Sequence, residues 1–173
     1  KPHIFQFPPR NKGAVTGSGF VRQVMNMTAE ERDSVAYKEI IQGNVPTSFR
    51  QPIYLTDSLQ DSKGIWHEVT LCVLSDFLAI GTDTDFLRIP MLPLTAQKLA
   101  DSFGATLPTR KLSNLIHRHS PVKLEPQPMT PDATMTTIPV FARHDSIIEA
   151  ARQKAGEDLG RLISGHKKDI VIT

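Results

Sequence analysis

The chain changes rhythm in its middle. From Gln51 to Met91 short apolar runs alternate with turn residues, whereas on either side the apolar spacing is that of helices. Runs joined by turns too short to house a crossover helix pair antiparallel. Helices packed beside such strands give an α+β fold with an antiparallel or mixed sheet and about four helices. At 173 residues the chain suits one domain.

The boundaries follow from punctuation. Ser18 is expected to cap a short helix through about Met25. Thr28 caps the next, and Glu31 three residues on completes a capping box. Helix formers continue to Gln42, Gly43 suits the left-handed residue after a helix, and Pro46 forbids continuation. Residues 51–56 read as a strand with Pro52 near its start, and 57–64 as a polar turn region. Residues 65–74 form a second strand, with Val69–Leu74 expected to be buried on both faces. The apolar run Phe77–Ile80, the turn Gly81–Asp85 and the run Phe86–Met91 read as a hairpin. Pro93 opens a helix that Gly104 ends, and another spans about Pro108 to His119. Val122–Leu124 is a short strand. Pro126, Pro128, Pro131 and Pro139 make 125–139 an extended loop. The last long helix starts near Pro139 or Val140 and ends before Gly156. Residues 159–164 and 169–173 read as two strands joined by the turn 165–168. Residues 1–19 are an arm broken by prolines and glycines, whose Ile4, Phe5 and Phe7 are suited to lie on the domain formed by 20–173.

Composition excludes several classes. No apolar run approaches the roughly 18 residues of a membrane span, and the mean hydropathy is −0.22. The net charge is +2 with 39% hydrophobic residues, too little charge and too much apolar content for a disordered chain. No third of the sequence concentrates basic residues, and no aromatic–basic interleaving offers a stacking platform, so no nucleic-acid partner is expected. One cysteine, Cys72, allows no intramolecular disulfide, and its apolar strand predicts a buried, inert thiol. The first residue is Lys1, so a start methionine is read as removed. There is no phosphate loop, no Gly-x-Ser-x-Gly elbow, no Cys-x-x-Cys and no His-Glu-x-x-His. No cofactor motif and no metal-ligand set is read.

The polar candidates therefore lie in turns. His144, early in the last helix, and His166, in the final turn, are the acid/base candidates. Arg110, Lys111 and Lys167, with Lys168 beside it, supply positive charge in two other turns. If the Leu107–Lys111 and Gly165–Asp169 turns meet, they form a cationic pocket for a small anionic ligand. Asp83 and Asp85 sit in hairpin context and read as turn-forming residues. His67 and Glu68 point to opposite faces of a strand. His117 and His119 end a helix, where imidazolium favours the dipole.

Five strings occur in order: Gly43-Asn44-Val45-Pro46, Asp76 through Phe86, Pro93-Leu94-Thr95-Ala96-Gln97, Leu107-Pro108-Thr109-Arg110-Lys111 and Gly165-His166-Lys167-Lys168-Asp169. Together they resemble a family of uncharacterised bacterial proteins that are often exported, over most of residues 28–173. The resemblance implies an exported bacterial protein, against a cytoplasmic one otherwise, and further histidine-containing segments past Thr173. It brings no established activity, cofactor or catalytic residue. Two functions remain as expectations: a hydrolase-like enzyme with a histidine-containing anion site, or a non-catalytic binding or interaction module.

Overall fold

A computed structural model describes residues 5–166 and 170–172. Its elements run α1 (Gly17–Val24), α2 (Ala29–Ile41), a 3₁₀ turn (Thr47–Phe49), β1 (Ile53–Gln60), β2 (Trp66–Val73), β3 (Ala79–Thr82), β4 (Asp85–Arg88), α3 (Pro93–Ser102), α4 (Arg110–His119), β5 (Val122–Lys123), α5 (Ile138–Lys154) and β6 (Ile163–Ser164). The α+β class stands. The strands do not join into one sheet, however. Among the described residues they form three two-stranded pairs: β1 with β2 and β3 with β4, both antiparallel, and β5 with β6, parallel.

The helix starts follow side-chain chemistry. The Thr28 hydroxyl accepts from the Glu31 amide at 3.3 Å, and the Glu31 carboxylate accepts from the Thr28 amide at 2.9 Å, which is the expected capping box. In α1 the cap is Thr16, not Ser18. Thr16 accepts from the Gly19 amide, while the Ser18 hydroxyl is drawn off to Asp85. Pro93 opens α3, and Thr109 caps α4. The proline-rich stretch contains no helix or strand until α5 begins at Ile138.

The main core gathers Phe20 and Val24 of α1, Ala36 and Ile40 of α2, Val45, Phe49, and Ala79, Ile80 and Leu87 of the β3–β4 hairpin. Leu99 of α3 and Ile138 of α5 close it. Each phenylalanine, valine, leucine or isoleucine among them, fully removed from water, contributes about 1.5–3 kcal/mol. The arm belongs to this core. Phe5, Phe7 and Phe103 form an aromatic trio with centroids 4.5 to 5.1 Å apart. Gly43, at φ +79°, ends α2 as expected and also receives the arm: a Cβ there would lie 2.0 Å from the Pro8 carbonyl oxygen. Arg50 donates to the carbonyls of Pro8, Val45 and Gly43.

The β1–β2 ribbon is built differently. Its eight pairs run from Ile53↔Val73 to Gln60↔Trp66. One face, carrying Leu55, Leu59, Val69 and Leu71, lies over Leu115 of α4 and Leu162. The other carries Tyr54, Thr56, Glu68 and Cys72 and is open. Residues 57–60, expected in a turn, are strand; the turn itself is 61–65, closed by the Asp61 carboxylate on the amides of Lys63 and Ile65. Two expectations fail here for one reason. Among the described residues nothing covers the outer face, so β2 is not buried on both sides and Cys72 is exposed. Trp66 is 66% exposed at the ribbon tip. Lys111 of α4 donates to the Gln60 carbonyl, and Arg118 and His119 both reach Asp57, so α4 clamps the strand it covers.

At the far end, β6 is only two residues long and pairs parallel with β5. Ile172 bridges to Thr109 in parallel. The expected strand 169–173 is therefore a single bridge among its described residues.

Candidate functional site

The β3–β4 hairpin brings an arginine into the interior. Arg88 ends β4 with its side chain fully buried, and a buried guanidinium must be paired. It is paired three times. Its Nε and Nη2 both lie 2.8 Å from one oxygen of Asp76, its Nη1 lies 3.2 Å from Asp145, and its Nη2 lies 3.3 Å from Glu149. Its charge also sits 5.0 Å over the Phe86 ring. Asp145 and Glu149 are four residues apart on α5 and so share the helix face that meets β4. Arg152, one turn further, donates to Glu149.

Asp76 carries the network on. Its second oxygen accepts from the Phe77 amide at 2.6 Å and faces His166 Nε2 at 3.1 Å. An ionised carboxylate only accepts, so Nε2–H of His166 donates. The imidazole is fully buried with the Phe77 ring edge-on at 5.2 Å. Its Nδ1 is buried and has no hydrogen-bond partner among the described residues. Burial by itself raises the Asp76 carboxyl; the His166 hydrogen bond and the Arg88 charge outweigh it and hold it below the usual carboxylate range. Burial likewise works against Glu149 as a carboxylate, and Arg152 and Arg88 overcome it. Arg88 stays protonated: burial disfavours the charge, but Asp76 and Asp145 more than compensate.

Beside this network lies an open groove of about 790 Å³ between α1, the β3–β4 hairpin and α5. Val21, Phe86, Leu87 and Ala142 give it an apolar floor, and Gly17 makes the narrow end. A Cβ at Gly17 would stand 2.4 Å from the Phe86 backbone, so only glycine lets α1 approach β4 this closely. Asp83, Asp85, Asp145 and Glu149 line it against Arg22 and Arg152. Asp85 accepts from the Ser18 amide at 2.8 Å and its hydroxyl at 2.6 Å; burial raises its carboxyl, but the bonds from Ser18 and Thr16 bring it below the usual range. Asp83 accepts from the amide and the hydroxyl of Ser48, in the 3₁₀ turn, at 2.8 and 2.6 Å. These two aspartates thus fasten helical starts onto the hairpin instead of shaping its turn alone.

The residues singled out in the sequence are scattered. His144 turns its Nε2 to the Gln127 carbonyl at 2.8 Å, while its neighbour Asp145 faces Arg88. Successive helical residues diverge by about 100°, so the two cannot share one target. His166 lies in the Asp76 network. Arg110 is exposed at the first turn of α4, and Lys111 holds the end of β1. Lys167, Lys168 and Asp169 lie outside the described residues. His67 meets Asp61, and His117 meets Ser164 Oγ at 2.9 Å instead of merely closing its helix. Asp76, Arg88, Glu149 and Ser164 were not singled out. Arg88 had one visible signal, a charge inside an apolar strand that must find carboxylates somewhere. Among the described residues no group of three or more histidine, cysteine or acidic side chains is arranged to hold a metal ion, and no helix is long and apolar enough to cross a membrane. In comparisons with known proteins, no family model matches the chain, and no curated protein or solved structure matches it significantly.

Proposed function

We propose that the chain is a binding module whose groove between α1, the β3–β4 hairpin and α5 takes a ligand with a cationic head and an apolar body. The observation that carries the reading is the lining of that groove. Its volume falls in the range of small-molecule sites. Its floor is apolar, and four carboxylates stand against two arginines around it. An amine or guanidinium gains from the excess negative charge, and a carboxylate oxygen already accepting one hydrogen bond has lone pairs left for another. The buried Arg88 network beneath fixes α5 against β4 and so presets the groove width, which lowers the ordering cost of binding. The enzyme reading needs titratable groups converging on space a substrate can enter. The groove's four carboxylates are each already held by a serine or an arginine, an arrangement that suits holding a cation more than moving a proton.

The test compares agmatine and spermidine with glutarate and inorganic phosphate by melting temperature, then repeats the series on Ser146→Arg. Ser146 is exposed on the groove wall, so this substitution adds a positive charge there without touching the core. The expected result is a rise with the cations alone that the variant loses, by linkage of binding to folding. A rise with glutarate or phosphate that Arg110→Ala abolishes would instead favour an anion site at the α4 turn.

A further inference from the structure

A second pair of side chains sits apart from the groove and has the geometry of an activated nucleophile. Ser164 ends β6, a parallel strand, and His117 lies in the last turn of α4. The His117 Nδ1 is 2.9 Å from the Ser164 Oγ, inside the reach that proton transfer requires. Neither residue lines the groove. We propose that Ser164 is a nucleophile for acyl or phosphonyl groups, with His117 as its general base.

Four observations carry this. The hydroxyl is held on a short strand whose partner β5 fixes it by backbone bonds on both sides: Val122 donates to Leu162 and Leu124 to Ser164, at 3.3 and 3.0 Å. The serine is buried, at 9% exposed, while His117 is exposed, so the pair reaches solvent on its histidine side. Directly after the serine the chain bends at Gly165, and among the described residues the amides of Gly165 and His166 donate to no acceptor. The amide following a nucleophile is where an oxyanion needs its donor. Finally, the imidazole of His166, two residues on, is locked onto Asp76, which holds the bend in one conformation.

The step balances without a cofactor. In the tautomer with the proton on Nε2, His117 Nδ1 takes the Ser164 hydroxyl proton as Oγ bonds to the ester carbonyl carbon. The carbonyl electron pair moves onto oxygen, beside the Gly165 and His166 amides. The pair returns, the carbon–alkoxide bond breaks, and the imidazolium proton leaves with the alcohol. Water, deprotonated by the same nitrogen, then releases the acid and restores the serine. The substrate class is a small activated ester, since the serine is buried and its approach lies past the exposed histidine.

The experiment uses a fluorophosphonate, which traps an activated serine covalently, and locates the adduct by peptide mass spectrometry. The expected result is an adduct on Ser164 in the native protein that disappears in urea and in Ser164→Ala. His117→Gln should slow labelling by at least about 100-fold, the low end of what a general base contributes, with its far-UV circular dichroism unchanged. Turnover of p-nitrophenyl acetate should follow the same order. No adduct on Ser164 in the native protein overturns the proposal. So does labelling that His117→Gln leaves at its original rate, because the contact would then only pin α4 to β6. Should His117→Gln unfold, the loss of wild-type labelling in urea decides alone.

Discussion

The two hairpins of this protein have opposite characters. The β1–β2 ribbon is eight residues long on each strand and is mostly half-buried or exposed, whereas β3–β4 has four residues on each strand and sits in the core. Length and hydrogen-bond count do not explain which one matters more to stability. Cover does. The short hairpin has α1 packed on both strands, α2 against β3 and α5 against β4, so most of its surface outside the groove is spent on contacts. The ribbon has α4 on one side and, among the described residues, no cover on the other. A sheet face becomes core only when a second layer lies on it.

This difference has measurable edges. The largest is at Arg88. Replacing it with alanine removes the guanidinium that Asp76, Asp145 and Glu149 share in the interior, which should cost about 3–5 kcal/mol in urea denaturation. A loss under about 1 kcal/mol would mean that the network is open to water. The same network sets an acid limit. The Asp76 and Glu149 carboxyls titrate lower in the folded chain than in the unfolded one, so their stabilisation is present above the ordinary carboxylate range near pH 4 and is lost as pH falls through the lowered values. Parent stability should therefore decline on acidification below about pH 4, and Asp76→Asn should flatten that decline. A parent curve that is flat on acidification would refute it.

Next in size is the comparison of the hairpins themselves. Ile80→Ala, in β3, should cost about 2–5 kcal/mol, as for a fully buried aliphatic residue. Val69→Ala, on the covered face of β2, should cost less than half as much, because the ribbon can settle toward α4. Equal losses would show that the ribbon is packed as tightly as the core. The smallest effect is at Cys72. Its thiol should react with a maleimide in the native state, and Cys72→Ser should change stability by less than about 0.5 kcal/mol. Labelling that waits for denaturant would mean that something covers the outer face after all.

The sequence read well wherever the determinant was local. The capping box of α2 is set by Thr28 and Glu31, three residues apart, and the ends of α3 by Pro93 and Gly104. It read poorly wherever the determinant came from elsewhere. The valine and leucine of β2 look the same whether one or two layers cover them, and that information lies in α4, some forty residues on. Ser18 looks like a helix cap until Asp85 competes for its hydroxyl. The charge network joins Asp76, Arg88, Asp145 and His166, which no spacing rule connects. The candidate site was least legible for that reason. A histidine's chemistry is visible in sequence, while the partner each one meets depends on packing: His144 finds a backbone carbonyl, His166 a carboxylate, and His117, expected only to close its helix, a hydroxyl.

The ribbon tip has a spectroscopic consequence. Trp66 is the single tryptophan of the chain, and it stands in water at the end of β2, next to the turn and away from the main core. Its emission in the native protein should already be red-shifted, and its wavelength should change little when the molecule unfolds. Tryptophan fluorescence is therefore a reporter of the ribbon and a poor one of the core. Collisional quenching by acrylamide should be efficient from the start. In a denaturant titration, ellipticity at 222 nm, a wavelength characteristic of helical backbone, would follow α2, α3 and α5, while the indole followed only its own strand. Coincident curves would mean that ribbon and core melt as one unit; an earlier indole transition would mean that the ribbon opens first.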